Sequence, residues 1–260
     1  MSNGRKSRRL DVVFQASAIL FDMDGVLIDS TECDERCWLK WASLHGMSST
    51  FSVASTHGRR AADTVRAVRP DLDPFREVKL LEQFASEESH YITVLPGVKA
   101  LLSVLPHSQW GIVTSASEQV ARHRLTVAGI GLPQVLVTAE MVEKGKPSPE
   151  PYQLGAKLLG YSTAECLVIE DAPSGILAGK AAGSHVLAVA SSHSTMDLNH
   201  ADWIVKSLAT VGVVSAERDR SQGDFNDGMV PHQLNIAIRD FLKVDLNRAP
   251  ATFPRLGSFK

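Results

Sequence analysis

Two aspartates one residue apart, Asp22 and Asp24, stand at the end of a short apolar run, Ala18 to Phe21, and are followed by Gly25. Alternation turns both acids to the same side while Met23 points back. Carboxylates at the mouth of an apolar strand are costly unless they are paired or bind a cation. Such a pair can hold a divalent ion, or divide the work of nucleophile and general acid/base. A second acidic pair, Glu170-Asp171, closes the apolar run Cys166 to Ile169 and completes an oxygen-rich cage suited to Mg²⁺. Four acids at one edge repel one another unless cations intervene. Lys146 supplies one, because Pro147, Pro149 and Pro151 stiffen its loop and fix where it points. Ser115 follows the run Trp110 to Thr114 just before a helix, and a hydroxyl beside helix N-terminal amides makes a phosphate site. Each motif alone has a plainer reading: a solvated strand end, an N-cap at Thr114, Ser115 or Ser117, a surface turn.

These residues meet only if the strands carrying them lie side by side, and the pattern of elements predicts that they do. After Leu95-Pro96-Gly97, helices and strands alternate: helix Val98 to Leu105, strand Trp110 to Ser115, helix Glu118 to Ala128 and strand Val135 to Thr138. Helix Glu150 to Leu159, strand Cys166 to Glu170, helix Ser174 to Ala182 and strand His185 to Ala190 follow, with an edge strand at Trp203 to Val205. The stretch Ser30 to Val94 carries no strand pattern and exceeds a simple crossover. It reads as helices, the first capped by Ser30 with a stripe of Cys37, Trp38, Trp41 and Leu44, the rest broken at Pro70 and Pro74. The prediction is an α/β fold, a doubly wound, mostly parallel, Rossmann-like sheet with an inserted helical cap subdomain. Residues 1–16 are expected to form a basic, disordered tail, 17–29 and 95–213 the core, and 30–94 the cap. Residues 214–260 form an extension without an assigned role, with a helix expected around Leu234 to Leu242.

Composition narrows the class. In 260 residues, 44% are apolar and 22% charged, as in a soluble globular protein. A net charge of -2 gives no push towards nucleic acid or an anionic membrane, and no apolar run approaches the length that spans a bilayer. Cys33, Cys37 and Cys166 make no disulfide framework, which fits a reducing cytoplasm. Arg5-Lys6-Ser7-Arg8-Arg9 resembles the start of a signal peptide, but the run after it carries Asp11 and Gln15 and leads straight into the Asp22 strand.

Taken in order, Asp22-x-Asp24-Gly25, Ser115, Lys146-Pro-x-Pro-Glu150 and Glu170-Asp171 resemble the four motifs of the haloacid dehalogenase superfamily. The likeness covers about Ala18 to Val213. It is nearest to the sugar- and polyol-phosphate phosphatase branch, including bacterial hexitol phosphatases and yeast glycerol-phosphate and 2-deoxyglucose-6-phosphate phosphatases. Val113-Thr-Ser-Ala116, Gly145 to Tyr152, Glu170 to Ile176 and His57-Gly58-Arg59-Arg60 carry it. The resemblance implies a Mg²⁺-dependent phosphatase acting through an aspartyl-phosphate. Asp22 is then the nucleophile and Asp24 the acid/base. Asp22, Asp171 and the Asp24 carbonyl bind the metal, with Glu170 either direct or through water. Ser115, Lys146 and the backbone at Met23, Gly25 and Ala116 hold phosphoryl oxygens. His57, Gly58, Arg59 and Arg60 reach the substrate from the cap, with Asp63 and Glu32 as weaker candidates. The partner is one small phosphorylated sugar or polyol, handled by a cytoplasmic monomer. Val26 also occurs in the β-phosphoglucomutase branch, so a phosphosugar mutase is the alternative. Asp34, standing where that branch tends to carry histidine, argues against it. A dehalogenase would not need the Glu170-Asp171 cage, and an inactive scaffold would not keep four intact motifs.

Overall fold

The computed structural model describes residues 12–214 and 233–244. The basic stretch Arg5 to Arg9 and most of the carboxyl-terminal extension lie outside them.

In chain order the elements begin with β1 (Val12–Ala16), β2 (Ala18–Phe21), β3 (Ile28–Asp29), α1 (Thr31–Leu44), α2 (Ala61–Val68), α3 (Pro74–Glu87) and β4 (Thr93–Val94). They continue with α4 (Val98–Leu102), β5 (Trp110–Val113), α5 (Glu118–Ala128), β6 (Val135–Val137), α6 (Glu150–Leu159), β7 (Cys166–Glu170), α7 (Pro173–Ala182) and β8 (His185–Val189). The last are β9 (Trp203–Val205), β10 (Val211–Val214), β11 (Leu234–Ile238) and β12 (Lys243–Val244).

The main sheet has the order β12-β9-β8-β7-β2-β5-β6, parallel except for β12 against β9. Its centre is β2, paired on one side with β5 and on the other with β7. Alternation sends Ala18 and Leu20 into one apolar layer, with Tyr152 and Ala156 of α6 and Ile176 of α7. Ile19 and Phe21 enter the opposite layer, with Ala121 and Leu125 of α5 and Val98 and Leu101 of α4. Burial on both faces is why these strands read as unbroken apolar runs rather than alternating ones.

Three helices, α1, α2 and α3, lie between β3 and β4, which pair antiparallel with Ile28 opposite Val94. The chain therefore leaves and re-enters the sheet region through one two-stranded ribbon. Trp38, Trp41 and Phe51 pack ring on ring inside the insertion, with centroids 5.5 to 5.7 Å apart. The indole Nε1 of Trp41 donates to Glu77 of α3 at 2.7 Å. Asp73 caps α3 by accepting from the Phe75 amide, and Pro74 opens the helix where its missing N–H costs nothing. Ser30 makes no such cap; its hydroxyl donates to Asp34 instead, at 2.8 Å.

Two expectations fail outside this core. Residues 12–16, expected within a disordered tail, form β1, and the helix expected around Leu234 to Leu242 is the strand β11. Both pieces alternate: Val12, Phe14 and Ala16 are buried while Gln15 is exposed, and Leu234, Ile236 and Ile238 are buried in turn. β11 lies between β1 and β10, antiparallel to both. Two partners decide its conformation over the helix propensity of Leu and Ala.

Candidate active site

The carboxyl ends of β2, β5 and β7 lie side by side, so the residues that follow them share one edge. Asp22 continues β2, its amide donating to the Ile169 carbonyl of β7 at 2.9 Å. Glu170 ends β7 and Asp171 follows it. Asp22, Glu170 and Asp171 are all buried, and each offers a carboxylate oxygen within 4.8 Å of the others.

Lys146 stands between them. Its Nζ donates to Asp22 Oδ1 at 2.7 Å, to Glu170 Oε1 at 2.7 Å and to the Val113 carbonyl at the end of β5 at 3.0 Å. Its loop is pinned from the start of α6, where the Glu150 carboxylate accepts the amides of Glu143 at 2.7 Å and Lys144 at 2.9 Å. Lys144 itself is exposed. The Tyr152 hydroxyl donates to Glu170 Oε1 at 2.6 Å, and the amides of Asp171 and Ala172 donate to Oε2. Each oxygen of Glu170 thus accepts two hydrogen bonds. The Ser192 hydroxyl contacts Asp171 Oδ2 and lies 2.7 Å from His193 Nδ1.

Three carboxylates facing one lysine leave an excess of buried negative charge. Burial and the neighbouring carboxylates of Glu170 and Asp24 push Asp22 from 3.8 up to about 7, against the opposing pull of Lys146. Burial, then Asp22 and Glu170, raises Asp171 in the same way. Burial works against the Lys146 cation, yet Asp22 and Glu170 outweigh it and raise its proton affinity. Oxygen donors, burial and unbalanced negative charge together fit a hard divalent cation. Gly25 makes the packing possible. Its φ is +79°, and a Cβ there would fall 1.9 Å from Asp171 Oδ2.

The other predicted residues sort clearly. The Asp24 carboxylate is not one of the three that cluster; it accepts a hydrogen bond from Arg124 of α5. Met23 is fully buried in the apolar layer. The Gly25 amide donates to the Ile28 carbonyl and the Ala116 amide to Thr114 Oγ1, so neither is aimed outward. Ser115 lines the cavity, and its hydroxyl donates to the Gly58 carbonyl at 3.0 Å, tying the insertion to the sheet edge. Gly58 has φ +71° and sits so close that a Cβ would meet Ser174 Oγ at 2.4 Å. His57 faces His193 edge-on, with ring centroids 5.6 Å apart. Arg59 is exposed on the cavity wall.

Arg60, expected to reach the substrate, is occupied elsewhere. Its guanidinium pairs with Asp63 at 2.6 and 3.1 Å and donates to the carbonyls of Ala139, Val142 and Glu143 at 2.9 to 3.4 Å. It closes the insertion onto the loop that leads to Lys146. Arg60→Ala should loosen this contact by about 1–3 kcal/mol. Amide hydrogen exchange at residues 139–145 should then quicken; an unchanged rate would remove the clamp from this picture. Arg124, Tyr152, Ser192 and His193 are not among the residues singled out by sequence. Only Tyr152 has a signal there, standing inside the proline-rich motif.

Asp22, Asp24, Ser115, Arg124, Asp171 and Ser192 border a cavity of about 500 Å³ between the sheet edge and the inserted helices. A Rossmann-like sheet with an aspartate, a lysine and a second acidic pair at its carboxyl edge can hold a divalent cation beside a nucleophile, an arrangement suited to phosphoryl transfer. A sequence profile of haloacid dehalogenase-like hydrolases matches residues 19–189, and the chain belongs to that family. It is 44% identical to hexitol phosphatase A of Escherichia coli over 204 residues, covering 76% of this chain and 94% of that one. It is 33% identical to glycerol-1-phosphate phosphohydrolase 1 of Saccharomyces cerevisiae over 230 residues, covering 81% and 91%. Among solved structures, the β-phosphoglucomutase of Clostridium difficile superposes with a TM-score of 0.66 at 22% identity, covering 75% and 92%. At that identity the likeness is one of fold.

Proposed function

We propose that this chain is a Mg²⁺-dependent phosphatase that hydrolyses small phosphorylated sugars or polyols. The observation that carries the reading is the buried set of Asp22, Lys146, Glu170 and Asp171, of which Asp22 and Asp171 line the cavity. The relatives named above, phosphatases of a hexitol phosphate and of glycerol 1-phosphate, support the substrate class.

Asp22 attacks phosphorus, and the bond from phosphorus to the leaving alcohol breaks as that oxygen takes a proton from Asp24. Water then attacks the aspartyl-phosphate, giving its proton to Asp24, and the Asp22 carboxylate is released with inorganic phosphate. Lys146, Ser115 and the backbone at Met23 hold the transferring oxygens. Asp22, Asp171 and the Asp24 carbonyl would hold Mg²⁺, which supplies positive charge against those oxygens. Glu170, saturated by four donors, holds Lys146 and the Asp171 backbone in place. The helices between β3 and β4 act as the cap, with His57 and Arg59 facing the substrate. Every residue in the scheme comes from one chain, so the proposed site needs no second subunit to complete it, in keeping with a monomer. The three cysteines are free and buried, as suits the reducing cytoplasm in which we place the enzyme. Among the described residues no helix is long and apolar enough to cross a membrane.

A phosphate-release panel of sugar and polyol phosphates, with Mg²⁺ or with chelator, tests the reading; no Mg²⁺-dependent release from any member would end it. Heating curves give a second check. Asp22 keeps its proton up to about pH 7 when folded but loses it near 3.8 when unfolded. In metal-free protein this group's contribution therefore falls as pH rises from about 4 to 7. Protons and Mg²⁺ compete for the same oxygens, so the Mg²⁺-induced rise in Tm should be larger at pH 7.5 than at pH 5.5. An equal rise at both would place the ion elsewhere.

A further inference from the structure

Arg124 belongs to none of the four motifs, yet it lies against Asp24, 100 residues away in the chain. It projects from α5, and its side chain is only 6% exposed. Nη1 donates to Asp24 Oδ1 at 2.5 Å and to Asp34 Oδ2 at 3.4 Å, while Nη2 donates to Asp34 Oδ1. Asp34 stands on α1 of the insertion and also accepts from Ser30 at 2.8 Å. One guanidinium fork thus spans a carboxylate of the sheet edge and a carboxylate of the inserted helices. Arginine suits the place. Its donors are fixed in a plane, and it does not give up its proton.

We propose that Arg124 is the positioning residue of the acid–base step: held by Asp34 on one side, it fixes the Asp24 carboxyl where the leaving oxygen and then the attacking water will stand. The inference rests on the role given to Asp24 above. When the phosphorus–oxygen bond breaks, its electron pair goes to the alcohol oxygen, which takes the Asp24 proton. Water returns a proton to Asp24 as its oxygen bonds phosphorus. A carboxyl free to swing misses the short approach that proton transfer needs. That loss is felt where the leaving group is a poor one. An alkoxide needs the proton, whereas p-nitrophenolate departs without it.

The ratio of kcat/KM for the best alkyl phosphate of the panel to that for p-nitrophenyl phosphate reads this directly, because kcat/KM covers events through departure of the leaving group. Arg124→Met should lower the ratio by roughly tenfold or more. Arg124→Lys keeps a cation in the buried position but cannot span both carboxylates. It should lower the ratio by less, and it secures the test if Arg124→Met fails to fold. A merely structural role predicts equal losses on both esters. A wild-type ratio in the folded variants would therefore overturn the inference. Asp24→Asn is the reference: if it leaves the ratio unchanged, the acid–base role of Asp24 falls first, and the assignment of Arg124 falls with it.

Discussion

Asp22→Asn is expected to abolish phosphate release from every substrate, by at least about 10³-fold, while the protein melts at a higher temperature than the wild type. The two effects have one origin. The substituted amide presents no carboxylate to attack phosphorus, so no aspartyl-phosphate forms. The change also removes one of three clustered buried carboxylates, two of which share a single lysine. The wild-type carboxyl holds its proton up to about pH 7, the mark of a charge that the folded state disfavours. At pH 7.5 without metal, the amide should therefore raise Tm, and its oxygen can still accept from Lys146. Excess Mg²⁺ should reverse the order, because the variant has lost a ligand. Substantial turnover in Asp22→Asn would displace Asp22 as nucleophile. A lower Tm in metal-free buffer would refute the account of the charge balance.

The second large effect is expected at Lys146. Its side chain is 1% exposed, and its ammonium is the one cation within hydrogen-bonding reach of Asp22 and Glu170 among the described residues. Lys146→Ala strips three hydrogen bonds and leaves two buried carboxylates uncompensated, a change that costs about 3–5 kcal/mol. Activity should fall to background, since the same ammonium faces the phosphoryl oxygens in the proposed reaction. Stability should partly return on acidification, because Asp22, freed of the Lys146 cation that holds its proton affinity down, takes up its proton above the wild-type value of about 7. Denaturant titrations at pH 5.5 and 7.5 would show this, with a larger gap between variant and wild type at the higher pH. A gap independent of pH would separate the loss from the carboxylates.

The contrast between Lys146 and Arg124 marks what can be read from sequence. The strands of the main sheet announce themselves because burial on both faces leaves an uninterrupted apolar run, and the charged residue ending each run stands out against it. Cys166 to Glu170, Trp203 to Val205 and the helices Glu118–Ala128 and Glu150–Leu159 fall where the pattern puts them. Lys146 is legible because prolines on its far side leave the loop few conformations. Arg124 carries no local mark. It is one polar position on an amphipathic helix, and only the packing of α5 against the sheet edge and the insertion reveals what it meets. Ser192 and His193 are hidden for the same reason. Arg60 is visible as a residue but not in its role, since its partners across the insertion are backbone carbonyls, which any sequence supplies. β1 and β11 escape notice because five-residue alternations are weak signals, and pairing between them spans more than 200 residues.

That pairing bears on how the molecule is made. β11 is the middle strand of its sheet, yet it is synthesised after both of its neighbours, β1 and β10. The parallel sheet and its acidic edge draw on strands complete by Val205, so the catalytic half can assemble while β1 and β10 still wait for a partner. During translation those two strands present unpaired edges, and the last antiparallel contacts close a loop of nearly the whole chain, the slowest kind of contact to form.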